Sequence, residues 1–320
     1  MVDHTPPPLS GTSKVLRLSA IAVVVAALAG AFGYVSGRLD PQRLTPGRIV
    51  DTLEHNSGHY PGLRRNHAKG VCVAGYFESS NEARPYSIAK VFSEGSVPVE
   101  GRFALPGGNP YAPDSSVPIR SLGLRFILAN GQQWRTGMNS MPVFPVSTPW
   151  VKTAKPSASY ATESYNALNA FYLVNAAGQR QAVRWGFVPV SQDEPGAVAP
   201  AGADFLEKDL VQRLAAGPLK WQLRMTLANP GDPIDDASKA WTGEHKVLNA
   251  GTLVLESTQP QDSGDCRDIN YDPLVLPSGI EASADPLLAA RSAAYASSYL
   301  RRTSEVGQLP AAHAQQESRP

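Results

Sequence analysis

The sequence predicts an α+β chain: an antiparallel β-barrel or curled sheet with a few peripheral helices, preceded by one transmembrane helix. Three observations lead there. Several stretches alternate apolar and polar residues with the period of two that a half-buried strand requires. The 28 prolines and 27 glycines interrupt the chain too often for a helical bundle. A charge-free run of 18 residues, Leu18 to Val35, lies close to the N-terminus. With 42% hydrophobic and 18% charged residues the chain has a globular composition, and 320 residues suit one large domain with appendages.

Residues 1–17, with Pro6, Pro7 and Pro8, read as a cytoplasmic tail. Residues 18–36 follow as a membrane anchor, because the apolar run is just long enough to cross a hydrocarbon core of ~30 Å as a helix. Lys14 and Arg17 precede it and favour a cytoplasmic N-terminus, so the remainder is expected to be exported. A cleaved signal peptide is the alternative, with Ala27, Leu28 and Ala29 as the small-x-small site. Residues 37–62 read as a polar connector with a short helix around Pro46 to Leu53.

The patterned region, residues 63–302, reads as one domain. Val71 to Glu78 is rich in β-branched and aromatic residues, and Leu122 to Ala129 alternates up to an Asn130-Gly131 turn. Phe171 to Val174, a turn ending at Gly178 and Gln181 to Val190 read as a hairpin. Trp221, Leu223, Met225 and Leu227 alternate with Gln222, Arg224 and Thr226. Leu206, Leu210, Val211 and Leu214 share one helical face that stops at Gly217-Pro218. A second helix follows Asp285 and Pro286 and runs to about Leu300. Residues 303–320 read as a polar, disordered tail.

The net charge is +1 and no basic run occurs, which excludes the electrostatic footprint of a nucleic-acid binder. Cys72 and Cys266 have neither CxxC spacing nor a neighbouring ligand, so no zinc or iron–sulfur site is read. They are buried thiols or, in an exported domain, a disulfide.

Arg64-Arg65-Asn66-His67-Ala68-Lys69-Gly70, followed by Gly75-Tyr76-Phe77-Glu78, resembles the distal-histidine segment of haem catalases. Arg102-Phe103 is similar to the family's Arg-Phe-Ser, and Asn139-Ser140-Met141-Pro142-Val143-Phe144 to its distal-asparagine segment. Gly279-Ile280-Glu281-Ala282-Ser283 and Arg291-Ser292-Ala293-Ala294-Tyr295 resemble the segments that end in the proximal tyrosine. The matches occur in the family's order from Arg64 to Arg302. They imply a catalase-like antiparallel β-barrel around a buried haem b, with Tyr295 as the iron ligand.

The implied chemistry suits these residue types. A phenol binds ferric iron as phenolate, which a nearby cation favours. On a helix, Arg291 lies one turn from Tyr295 and shares its face. A neutral His67 takes a proton from a bound peroxide and returns it to the leaving oxygen. Asn139 donates a hydrogen bond to the peroxide. Arg64, Arg102 and Arg302 fall at the propionate-contacting positions, where guanidinium geometry matches carboxylates. Phe144 is expected against the porphyrin.

Three departures from the family matter. Ala104 replaces the serine that holds the distal histidine, so His67 is expected to lose an orienting partner. Pro118 stands near the position of the aspartate that lines the peroxide channel, and Asn66 replaces an apolar neighbour of the histidine. The resemblance therefore points to a small catalase-related peroxidase. It would reduce organic peroxides, and hydrogen peroxide to a lesser degree, with a small organic reductant and weak or no catalase activity. A hydroperoxide isomerase of the allene oxide synthase type and a non-catalytic haem-binding protein are the alternatives.

Overall fold

A computed structural model of the chain describes residues 44–141, 157–190 and 203–307 and the isolated positions 19, 153 and 154. Apart from Ser19, the expected tail and anchor lie outside these residues, as do Phe144 and everything from 308 on. No helix among the described residues is long and apolar enough to cross a membrane.

The described chain from Pro46 onward belongs to one compact unit built on a closed antiparallel barrel. Strands β1 (Gly70–Ser79), β2 (Ser96–Ala104), β3 (Ser121–Ile127) and β4 (Gln133–Asn139) form a meander. The short β5 (Tyr165–Asn166) joins β4 to β7 (Arg180–Pro189). From there β8 (Leu219–Leu227) and β9 (Val247–Pro260) lead back to β1, closing a ring of eight strands. Further along the same edge of β7 lies β6 (Phe171–Val174), and β10 (Ile280–Ala282) pairs outside it. Closure leaves the barrel without the unpaired edges that an open sheet would expose.

Alternation places the core. Along β8, Trp221, Leu223, Met225 and Leu227 are buried while Lys220 and Arg224 are exposed. Aromatic rings fill much of the interior: Phe126 stacks on Trp134 at 4.6 Å between centroids and Phe103 on Tyr160 at 4.9 Å. Two bulges, at Ala250 and Glu256, bend β9 around the barrel. A side chain at Gly75, opposite the second bulge, would place its Cβ 2.0 Å from the Val254 carbonyl oxygen.

Among the described residues three helices flank the barrel: α1 (Pro46–Ser57), α2 (Phe205–Ala216) and α3 (Pro286–Val306). Asp285 caps α3 by accepting from the Leu287 amide, with Pro286 in the first turn. Both ends of the compact unit depart from the sequence reading. α1, expected as a short helix in a connector, runs to Ser57 and packs against α3. α3 passes Leu300 and Arg302 to end at Val306, inside the segment expected to be a disordered tail. The added turn is anchored by Glu305, which accepts from the Gly62 amide at 2.8 Å and pairs with Arg65.

Cys72 on β1 and Cys266 after β9 form a disulfide, which settles the choice left open between thiols and a bridge. It clips the β9–β10 connection to the outside of the barrel across 194 residues of sequence. Replacing both cysteines by serine removes a cross-link closing this long loop, and should lower the unfolding free energy by about 2–5 kcal/mol in a denaturant titration.

Candidate active site

Antiparallel register assembles one wall of a cavity of ≈ 530 Å³. Residues directly opposite one another in a sheet project from the same face. Ala104, Ser121 and Asn139 are such partners across β2, β3 and β4. Two residues along lies a parallel row, Cys72, Arg102, Gly123 and Gly137. The intervening residues Val71, Phe103, Leu122 and Met138 are buried. Gly123 and Gly137 leave the middle of the wall without side chains. A Cβ on Gly123 would lie 2.8 Å from the Tyr271 ring, and one on Gly137 would lie 3.4 Å from the Arg291 guanidinium.

His67 enters from the turn that precedes β1. Its φ is +58°, in the left-handed region that costs a non-glycine residue energy and is held only when its surroundings fix it. Asn66 supplies that hold, because its side-chain oxygen accepts from the His67 amide at 2.9 Å and from the Gly107 amide at 2.7 Å. The Ala68 amide donates to the Gly107 carbonyl, and Arg65 links the loop to Glu54 of α1 and Glu305 of α3. Nε2 of His67 lies 3.0 Å from Ser121 Oγ. The expected loss of an orienting partner at Ala104 is therefore corrected: a hydroxyl reaches the ring from the neighbouring strand. Burial, followed by the positive charges of Arg102, Arg291 and Arg64, pushes the imidazole down to about 3. His67 is neutral throughout the physiological range.

Asn139 accepts from the Met141 amide at 2.9 Å through Oδ1, and its NH₂ meets no acceptor among the described residues. α3 lines the cavity with Arg291, Tyr295, Tyr299 and Arg302. Arg291 Nη2 lies 3.4 Å from Tyr295 Oη and donates to the Gly137 carbonyl. Its Nη1 donates to Asn169 Oδ1 at 2.7 Å, and Asn169 in turn donates to Asp285. The fully buried Asn169 thus ties the guanidinium to the cap of α3.

Arg64, Arg102 and Arg302 converge on the cavity, and no carboxylate lines it among the described residues. Arg64 donates to the carbonyls of Cys266, Arg267 and Ile269, and Arg302 to that of Arg267. Arg102 donates to Ala68 O and to Gln261. Its guanidinium fits because a Cβ on Gly70 would lie only 2.6 Å from its central carbon. Burial, with Arg102 and Arg302 adding to it, pushes Arg64 well below the usual arginine range. Burial likewise brings Arg102 down to about 10. Like charges held together in a dry site call for an anionic ligand.

Seven of the eight site residues expected from sequence meet here: Arg64, His67, Arg102, Asn139, Arg291, Tyr295 and Arg302. The eighth, Phe144, lies outside the described residues. Ser121, Asn169, Tyr271 and the two wall glycines went unread: strand pairing places Ser121 and the glycines, while Asn169 and Tyr271 arrive from connections between strands and meet the site only through tertiary contacts.

The architecture is that of a barrel carrying a buried, arginine-rich ligand pocket on its outer face. The family model described as Catalase matches residues 37–154 and 151–319. A catalase-related peroxidase of Synechococcus elongatus is 35% identical over 88% of this chain and 96% of its own length. Another from Mycolicibacterium paratuberculosis is 29% identical over 81% and 95%. Among solved structures, catalase A from Saccharomyces cerevisiae superimposes with a TM-score of 0.66 at 19% identity, over 82% of this chain. The chain spans under two thirds of that catalase, 65% of its length. The chain belongs to the catalase family.

Membership implies haem, and the residues fit it. The bare strip at Gly123 and Gly137 lets the Tyr271 ring and the Arg291 guanidinium lie against the wall, and the arginine cluster suits two carboxylates. Buried Arg102 Nε and Tyr271 Oη at the cavity wall have no hydrogen-bond partner among the described residues. The segment of Cys266 to Ile269 that grips Arg64 is held to β1 by the disulfide. Reduction should consequently accelerate haem release several-fold, measured as transfer to an apo-globin acceptor.

The depressed imidazole pKa also acts on stability. The native state excludes a proton that the unfolded chain binds below about 6.5, so stability is full above that pH and falls toward about 3. His67→Gln should reduce the acid-side slope of unfolding free energy by up to about 1.4 kcal/mol per pH unit in that window. Urea titrations at a series of pH values measure this slope.

Proposed function

We propose that this chain is a haem-dependent peroxidase that reduces organic peroxides, and hydrogen peroxide less well, with an external small organic reductant. The observation that carries the reading is a single cavity lined by a neutral histidine, the Asn139 amide and a tyrosine–arginine pair.

Haem b, when bound, would supply the redox-active iron for peroxide cleavage. Tyr295 Oη would hold that iron, with the Arg291 guanidinium 3.4 Å away as its cationic neighbour. Arg64, Arg102 and Arg302 receive the propionates. His67 takes the proton from the peroxide O–H and returns it to the departing oxygen. Because its imidazole binds a proton weakly, it gives that proton up readily. The Asn139 amide donates to the peroxide and does not titrate.

Substrate preference follows from the lining. Ile119, Met141, Leu168 and Leu287 make one side of the cavity apolar, and Pro118, next to Ile119, stands near the position of the family's channel aspartate. Such a wall favours an alkyl or acyl hydroperoxide over hydrogen peroxide. The disulfide belongs to an oxidising compartment and supports export of the domain, tethered to the membrane through residues 18–36.

His67→Ala should slow peracetic-acid-driven oxidation of a phenolic donor by roughly 10²–10⁴-fold while haem binding is kept. The wild-type rate should show no acid limb near pH 6.5, since His67 is already neutral there. Haem binding without peroxide-dependent donor oxidation in the wild type would favour a haem carrier. Conversion of a lipid hydroperoxide without consumption of donor would favour an isomerase.

A further inference from the structure

The family resemblance puts a serine at residue 104, and this chain has alanine there. Strand register shows where the hydroxyl has gone. Ala104 of β2 faces Ser121 of β3, which in turn faces Asn139 of β4. Ser121 Oγ is 3.0 Å from His67 Nε2, and among the described residues it is the one hydrogen-bond partner of that ring. Ser121 is buried, with 6% of its surface exposed, and it lines the cavity.

We propose that Ser121 is the positioning residue for His67, replacing from the neighbouring strand the hydroxyl absent at residue 104. The inference rests on the reading of His67 as the acid/base. The two residues differ in how firmly they are held. His67 sits on a turn, whereas Ser121 is part of β3, hydrogen-bonded on both sides to β2 and β4. A side chain on a doubly paired strand is placed more accurately than one on a loop, so the barrel fixes the imidazole through this contact.

A hydroxyl also suits a partner whose protonation changes. It donates to Nε2 when that nitrogen is bare and accepts when Nε2 carries the proton. The ring can therefore be held in one orientation in both protonation states. Neither Asn nor a carboxylate would leave the ring comparably unperturbed. An amide cannot reverse its donor and acceptor ends without rotating, and a carboxylate would raise the pKa that burial and the three arginines depress.

The test uses the full-length holoprotein. Ser121→Ala should slow peracetic-acid-driven donor oxidation by about tenfold or more. It should leave the KM for the donor unchanged and speed modification of His67 by diethyl pyrocarbonate, read on the His67 peptide by mass spectrometry. The conservative Ser121→Thr should stay within a few-fold of wild type. Restoring a hydroxyl from the other strand, Ala104→Ser in the Ser121→Ala background, should recover much of the loss. Retained melting temperature and haem content exclude misfolding. Wild-type rate and labelling in Ser121→Ala would overturn the proposal, as would a loss that neither hydroxyl variant relieves. If His67→Ala is itself as fast as wild type, the acid/base reading fails instead.

Discussion

Four arginines around one dry cavity without a lining carboxylate are the constraint on which the rest of the structure depends. Arg64, Arg102, Arg291 and Arg302 would repel one another strongly in a low dielectric unless each guanidinium were held by other groups. Backbone carbonyls do much of this: Arg64 alone engages three, and Arg302 and Arg291 one each. Carbonyl oxygens satisfy donors without cancelling charge, and of the four only Arg302 pairs with a carboxylate among the described residues, Asp268 at 3.5 Å, so the cavity lining keeps a positive balance suited to an anion. The same field acts on His67, where three of these arginines add to burial in keeping the imidazole neutral. Propionate recognition and a competent distal base are thus two results of one electrostatic arrangement.

Holding that arrangement requires elements far apart in sequence. The strands provide a wall whose glycines let Tyr271 and Arg291 approach closely. α3 brings Arg291, Tyr295 and Arg302 to a common cavity, with Asn169 and Asp285 fixing the first of them. The β9–β10 connection contributes carbonyls but has little regular structure of its own, and the Cys72–Cys266 bridge supplies the covalent restraint. The helix ends take part as well. Glu54 and Glu305 meet on Arg65, so α1 and the last turn of α3 brace the loop that presents His67.

Legibility in the sequence followed the physics of each element. β1, β3 and β8 could be read because alternation or β-branched density is local, and α3 because Asp285-Pro286 is a helix start. β2 and β9 could not be delimited. Pro98 and Gly101 interrupt the first, and Gly251 with two bulges breaks the period of the second. The principal site residues were legible only because they lie in motifs resembling the catalase family. Ser121 and Asn169 carry no local signal, since their partners lie 54 and 122 residues away. The ends of the compact unit were misplaced for a similar reason: polar stretches such as 303–306 read as tail until Glu305 is seen to meet Arg65.

Ligation of the haem iron by Tyr295 in this cavity is open to direct measurement. Resonance Raman spectroscopy of the purified ferric holoprotein, excited in the phenolate-to-iron charge-transfer region, examines that bond itself. Phenolate modes present in the wild type and absent from Tyr295→Phe that still retains haem would be the predicted result. Persistence of the same modes in Tyr295→Phe, or a histidine- or cysteine-ligated spectrum in the wild type, would contradict it.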